Sequence, residues 1–198
     1  ELDPLQHRMS AEGIRHKNPA PLEILAHAAD DIHGLQGKAE FGVGATDLLL
    51  RRQQGAPLVV LAVIFQHSPL AIMTLKTDGL QSIHDLAGRR VMIEPGSSEL
   101  FAYLNMEGLS AGKLTLLTHE FRIQELLDGS VYAMSAYVTD EPFEVSLAGK
   151  EYVLYSPRAA GIDFYGDNLF TTESLLKLKP ELVKKFREAS LRGWEYAM

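Results

Sequence analysis

The sequence predicts an α/β protein of two lobes with mixed, mostly parallel sheets, and three observations carry that prediction. Short aliphatic runs alternate with segments of helical periodicity along most of the chain, as in strands joined through helices. Residues 58–64 are continuously aliphatic, which fits a strand covered on both faces. The segment Leu35-Gln36-Gly37-Lys38-Ala39-Glu40-Phe41 is echoed by Leu127-Asp128-Gly129-Ser130-Val131-Tyr132-Ala133. Each copy reads as a helix end, a Gly stop and a strand, one copy in each half.

Residues 1–20 are polar, with prolines at 4 and 19, and read as an arm or loop. A helix is expected over 21–34, where Leu22, Leu25, Ala28, Ala29 and Ile32 recur at three and four residues. Residues 39–43 form a short strand. Thr46 stands where an N-cap belongs, before a helix through Leu48, Leu49 and Leu50 that Gly55 and Pro57 end. Strands follow over 58–64 and 70–75, then a turn at Thr77-Asp78-Gly79. Ser82 caps a short helical segment. Residues 90–94 form a strand, Pro95-Gly96-Ser97-Ser98 a loop, and Leu100, Phe101 and Leu104 lie on a helix. Strands over 114–118, 131–137 and 152–155 alternate with helices over 123–127 and 141–147. Residues 168–171 return as a strand. Residues 180–198 place Leu182, Val183, Phe186, Ala189, Gly193 and Tyr196 along one side of a helix. No Gly, Asn or Pro stop follows, as in a piece of a longer protein, with a frayed natural end as the plain alternative.

Composition narrows the function classes. The 198 residues are 46% hydrophobic and 23% charged, enough for one good core or two small ones. The net charge is −7 and there is no basic stripe, so no nucleic-acid partner is expected. With no cysteine there is no disulfide, thiol nucleophile or thiolate metal site. The opening Glu1-Leu2-Asp3-Pro4 is no signal peptide, and no apolar run approaches the ~20 residues of a membrane helix. Membrane segments are therefore expected only outside this sequence. The histidines at 7, 16, 27, 33, 67, 84 and 119 show no metal-ligand spacing, and GxSxG, P-loop and GxGxxG motifs are missing. His119-Glu120 are neighbours whose side chains would point to opposite faces of a strand. No catalytic residue, cofactor or metal is expected.

Gly37-Lys38-Ala39-Glu40-Phe41-Gly42-Val43-Gly44 with Asp47-Leu48-Leu49-Leu50 resembles the first-lobe core of periplasmic substrate-binding proteins of the thiamine-pyrimidine and sulfonate/nitrate class. Asp85-Leu86-Ala87-Gly88-Arg89-Arg90-Val91 resembles the segment that opens their second lobe. Asp128-Gly129-Ser130-Val131-Tyr132-Ala133 resembles a further family segment. The stretches 161–170 and 186–194 resemble a branch fused to histidine kinases and diguanylate cyclases as an extracytoplasmic sensor. The resemblance covers residues 30–198. It implies a type II periplasmic-binding-protein-like fold, with lobe 1 from 21–76 plus 166–198 and lobe 2 from 77–165. The strand and aromatic-bearing helix that open such domains are not found ahead of Leu22. The first lobe is therefore expected to be incomplete, or finished by an arm or a second copy in a homodimer.

Four loops follow predicted strands, where such folds bind ligands. Glu94-Pro95-Gly96-Ser97-Ser98-Glu99 opens a helix, so backbone N–H groups and the Ser hydroxyls suit an anion or polar group; a plain cap by Ser98 is the equal alternative. In Gly44-Ala45-Thr46-Asp47, Gly44 allows close approach and Asp47 can accept from an amine, against a capping role for Thr46 or Asp47. Gln66, His67 and Ser68 sit between two apolar strands and need partners, from backbone or ligand; a lone His67 is more often structural. Tyr137 offers a ring, and Thr139, Asp140 and Glu141 offer acceptors, after the strand over 131–137. Tyr165, Asp167 and Asn168 precede the return strand; such residues are more often surface or capping groups.

The expected function is an extracytoplasmic sensor domain of a membrane-anchored histidine kinase or diguanylate cyclase. It would bind a small polar or heterocyclic molecule between its lobes and pass closure on through the last helix. The alternative is the substrate-binding component of an ABC transporter, whose place is also periplasmic. A distant third is a pyrimidine-forming enzyme of this fold; those carry a cysteine cluster that this chain lacks.

Overall fold

A computed structural model describes residues 39–77, 82–94, 96–119 and 122–197. The expected arm over 1–20, the helix over 21–34, Gly37 and Lys38 of the first echo, Asp78 and Gly79 of the turn, Pro95 and Glu120 lie outside them. In chain order the elements are β1 (Phe41–Gly44), α1 (Asp47–Gln53), β2 (Leu58–Phe65) and β3 (Leu70–Leu75). After a 3₁₀ turn at Ile83–Leu86 come β4 (Arg90–Ile93), α2 (Ser98–Met106), β5 (Thr115–Thr118), α3 (Gln124–Leu127), β6 (Ala133–Tyr137) and α4 (Glu141–Leu147). Then follow β7 (Tyr152–Tyr155), β8 (Gly166–Thr172), α5 (Glu173–Leu178) and α6 (Pro180–Ala197).

These residues fall into two units, 39–68 with 163–197 and 69–162. Each has its own sheet, β1-β8-β2 in the first and β5-β4-β6-β3-β7 in the second. The sequence places the first crossing at residue 76, but the chain changes unit after Ser68, because β3 pairs with β6 and β7 of the second sheet. The chain returns at Asp163. The fold is α/β, with an antiparallel first sheet and a mixed second one. Its pairings correct the expectation of mostly parallel sheets. Among the described residues only β4 with β5 and β4 with β6 are parallel; the other four pairings are antiparallel. One reversed strand in each sheet causes this. β8 lies between β1 and β2, and β3 lies between β6 and β7, so each reversal makes two antiparallel ladders.

The second unit is packed on both faces of its sheet. Leu70 and Ile72 of β3 join one core with Leu100, Tyr103 and Leu104 of α2. Met73 joins the opposite core with Leu126 of α3 and Val145 of α4. This is the period of two expected of a strand. The doubly buried strand is thus β3. The run over 58–64, read as doubly buried, is mostly half-exposed in β2, because among the described residues β2 pairs only with β8.

The first unit has a smaller core of Leu48, Leu58 and Phe170. Against its sheet lies α6, an amphipathic helix whose Val183 is buried. Phe186 stacks on Phe41 with ring centroids 3.8 Å apart, and Trp194 meets Phe65 edge-on at 5.8 Å. Arg187 Nε donates to the carbonyl of Leu61 at 2.7 Å, where β2 slips register between Val60 and Ala62. That bulge leaves Leu61 outside the ladder, so its carbonyl can take a side-chain donor.

Candidate functional site

Register decides which loops of the first unit share an end. Gly44 lies opposite Asn168, and Phe65 opposite Gly166. The carboxyl ends of β1 and β2 therefore flank the start of β8, and the loops 44–47 and 66–68 meet the segment 163–168. Hydrogen bonds join them. Asn168 Nδ2 donates to the Gly44 carbonyl at 3.1 Å. Thr46 Oγ1 donates to the Tyr165 carbonyl at 2.7 Å. The Ser68 N–H donates to the Phe164 carbonyl at 2.7 Å, and His67 Nδ1 lies 2.9 Å from Asp163 Oδ2. Gln66 is exposed and folds back to donate to Val63 O at 3.2 Å. Asp167 has φ +46°, a left-handed backbone costing on the order of 1 kcal/mol in a residue other than glycine.

Two expectations for this loop are corrected. Thr46 holds the cap position but does not cap. A capping side chain reaches back from extended backbone, whereas Thr46 is helical at φ −65°, ψ −15°, and its hydroxyl goes to Tyr165. Asp47 is no cap and its carboxylate is not open to solvent. It is buried, and Oδ2 accepts from Arg51 Nε at 3.0 Å, one turn along α1. Arg51 is buried as well, and its Nη2 has no hydrogen-bond partner among the described residues. Leaving a buried donor unpaired costs about 1–3 kcal/mol, more when charged.

In the second unit the carboxyl end of β4 carries the corresponding loop. Gly96 has φ +81°, which glycine adopts without steric cost, and its carbonyl accepts from the Ser98 N–H at 2.8 Å. Ser98, expected as the cap, is the first residue of α2; Ser97 takes the cap position. Ser97 is buried and makes no side-chain cap, because its Oγ donates to the Glu94 carbonyl at 2.8 Å. Glu99, in the first turn of α2, is buried. Beside this loop the end of β6 is closed by Glu141, whose Oε2 accepts from the Tyr137 N–H at 2.7 Å. The Tyr137 ring packs on the α2 side of the core.

Ser135 and His119, neither chosen as a ligand contact from the sequence, join these loops. Ser135 Oγ accepts from the Glu94 N–H at 2.9 Å, and the Ser135 carbonyl accepts from His119 Nε2 at 3.0 Å. His119 is buried at the end of β5, and burial holds its pKa below the usual 6.5, against the opposing pull of that carbonyl and of the Glu141 and Glu125 charges. A neutral imidazole donating to a carbonyl thus ties β5 to β6. The signal for Ser135 was a lone hydroxyl in the apolar run Ala133-Met134-Ser135-Ala136, since a buried polar group needs a partner. For Arg51 it was the i,i+4 spacing from Asp47.

The structure therefore gathers Gly44, Thr46, Asp47, Gln66, His67, Ser68 and Asp167 at one end of the first sheet. It gathers Gly96, Ser97, Ser98, Glu99, Tyr137 and Glu141 at the carboxyl ends of β4 and β6 in the second. Among the described residues no cluster of His, Asp and Glu is arranged to hold a metal ion, and no helix is long and apolar enough to cross a membrane.

Comparison with known proteins agrees with this architecture. The family described as NMT1/THI5 like matches residues 27–198. The riboflavin-binding protein RibY of Chloroflexus aurantiacus is 30% identical over 163 residues, which is 79% of this chain and 46% of that protein. A solved structure from Bordetella bronchiseptica RB50 superposes with a TM-score of 0.65 at 18% identity, over 87% of this chain and 65% of that one. The sulfonate-binding protein SsuA of a putative sulfonate ABC transporter from Methylobacillus flagellatus KT gives 0.56 at 17% identity, over 82% and 51%. The chain thus spans about half the length of the curated relative and two thirds or less of these solved chains.

Proposed function

This chain belongs to the NMT1/THI5-like family, and from that premise we propose that it is an extracytoplasmic binding module for a small polar or heterocyclic molecule, held without chemical turnover. The observation that carries the reading is the convergence of loops in each unit. The ends of β1 and β2 meet beside β8, and the ends of β4, β5 and β6 meet around Ser135. In α/β folds such carboxyl ends are where ligands bind. The ligand's class follows the relatives, a flavin-like heterocycle as for RibY or an organic sulfonate as for SsuA. Binding of this kind needs only groups that fix orientation.

The parent is proposed to be the substrate-binding component of an ABC transporter, which the SsuA likeness favours. A second reading keeps the module as a sensor of a membrane-anchored histidine kinase or diguanylate cyclase. It is favoured by the resemblance of residues 161–170 and 186–194 to that branch. In that reading a ligand shifts a conformational equilibrium only by its difference in affinity for the two states. What, if anything, follows residue 198 in the parent separates these readings.

The test is titration with riboflavin, followed by flavin fluorescence, and with short alkanesulfonates, followed by calorimetry. Gln66→Ala and Ser98→Ala are expected to weaken binding about tenfold each, the effect of losing one good hydrogen bond. Unchanged affinity in both variants would remove these loops from the site.

A further inference from the structure

We propose that the Arg51 guanidinium is an oxyanion site that fixes a carboxylate, sulfonate or phosphate group of the bound molecule. The inference rests on the reading of the chain as a small-molecule binding protein and narrows the class of its ligand. Arg51 is only 6% exposed, and its buried Nη2 has no acceptor among the described residues. Among those residues the guanidinium is held through Nε, at 3.0 Å from Asp47 Oδ2. A carboxylate that meets an arginine fork in full takes two N–H groups; Asp47 takes one, and Nη2 remains. The reach back to Asp47 also fixes the position of the charge. Arg51 starts a turn further along α1, yet its head lies at the first residue of that helix. It therefore stands beside the loop 44–47, whose Gly44 is tied to Asn168.

The chemistry follows from the donor. Arginine stays charged throughout the accessible pH range, and its planar N–H groups match the oxygens of carboxylate, sulfonate and phosphate. A buried guanidinium N–H without an acceptor is destabilising, and an anionic oxygen relieves this better than a neutral one. Asp47 neutralises the arginine and so tempers the attraction. A competing anion is therefore held by a directed hydrogen bond more than by net charge.

The experiment is thermal unfolding of the whole chain in inorganic phosphate, methanesulfonate or acetate, against chloride at equal ionic strength. At least one oxyanion is expected to raise the Tm of the parent chain saturably, and the one that does so most strongly names the group. Asp47→Asn is expected to tighten that oxyanion severalfold, because a repelling carboxylate is gone. Arg51→Gln is expected to abolish the shift, and Arg51→Lys to leave only part of it. No saturable shift in the parent chain, or an equal shift in Arg51→Gln, overturns the proposal. Should Arg51→Gln fail to fold, unchanged oxyanion affinity in Asp47→Asn overturns it. Riboflavin separates this outcome from the wider reading. If it binds the parent chain while no oxyanion registers, the Arg51 site falls and the binding function stands. If phosphate or acetate acts through Arg51 while neither riboflavin nor alkanesulfonates bind, the Arg51 site stands and the flavin or sulfonate class of the ligand is what fails.

Discussion

A Cβ placed on Gly42 would stand 2.5 Å from the tip of the Phe170 ring, and the two residues face each other across β1 and β8. The ring occupies the space that a side chain would need. Gly42→Ala is expected to cost about 1–3 kcal/mol, the usual penalty of overpacking. It should lower the urea midpoint without changing the slope. His119 makes a prediction of opposite character. Its folded pKa lies below 6.5 because burial disfavours the imidazolium. Between the folded and the unfolded pKa the unfolded chain binds the proton and the folded chain does not. Stability is therefore full above about pH 6.5 and falls as pH drops through that value, levelling off below the folded pKa. His119→Gln should remove this slope from a plot of unfolding free energy against pH. A slope unchanged in that variant would assign it to other groups.

At the scale of elements, caps and amphipathic faces set what can be tested. Thr172 has extended backbone and accepts from the Leu175 N–H at 3.2 Å, so it caps α5. Thr172→Ala is expected to cost about 1 kcal/mol, measured by denaturant unfolding. Phe186 anchors α6 to Phe41. Its ring is partly exposed, so Phe186→Ala should cost about 2 kcal/mol, less than the 3–5 kcal/mol typical of a fully buried phenylalanine. Amide exchange should then rise first in α6. Most strands and helices were legible in the sequence, because alternation and helical spacing are local signals. The sidedness of β2 and β3 was not. Both are aliphatic runs, and only pairing shows that β3 is central and that β2 has one neighbour among the described residues. Strand direction was illegible for the same reason, since nothing local to β8 or β3 states which way its neighbours run. Ser82 was legible because its capping box with Asp85 is spelled out within four residues. Thr46 was misread because capping depends on backbone angles that the residue type does not fix.

On the scale of the whole chain, two sheets separated by two crossings are what the echo around Gly37 and Gly129 anticipates, and the β1 and β6 strands that follow it lie in different sheets. The candidate loops were legible as places, since each follows a strand. Their wiring was not. The oxygens of Ser97, Asp47 and Glu141 are engaged with Glu94, Arg51 and Tyr137, contacts that set the shape of the loops. Ser135→Ala should therefore act as a positioning change. It removes the acceptor for the Glu94 N–H and is expected to weaken ligand binding about tenfold, a hydrogen bond's worth, although Ser135 is buried. Full affinity in that variant would show that the loop after β4 holds its shape without it. The chain is proposed to bind a small molecule and leave it unaltered. Equilibrium dialysis against riboflavin and short alkanesulfonates, with mass spectrometry of the recovered ligand, tests it most directly. Saturable one-to-one binding with the ligand returned intact is the predicted result; a chemically altered ligand, or no saturable binding to either class, would contradict it.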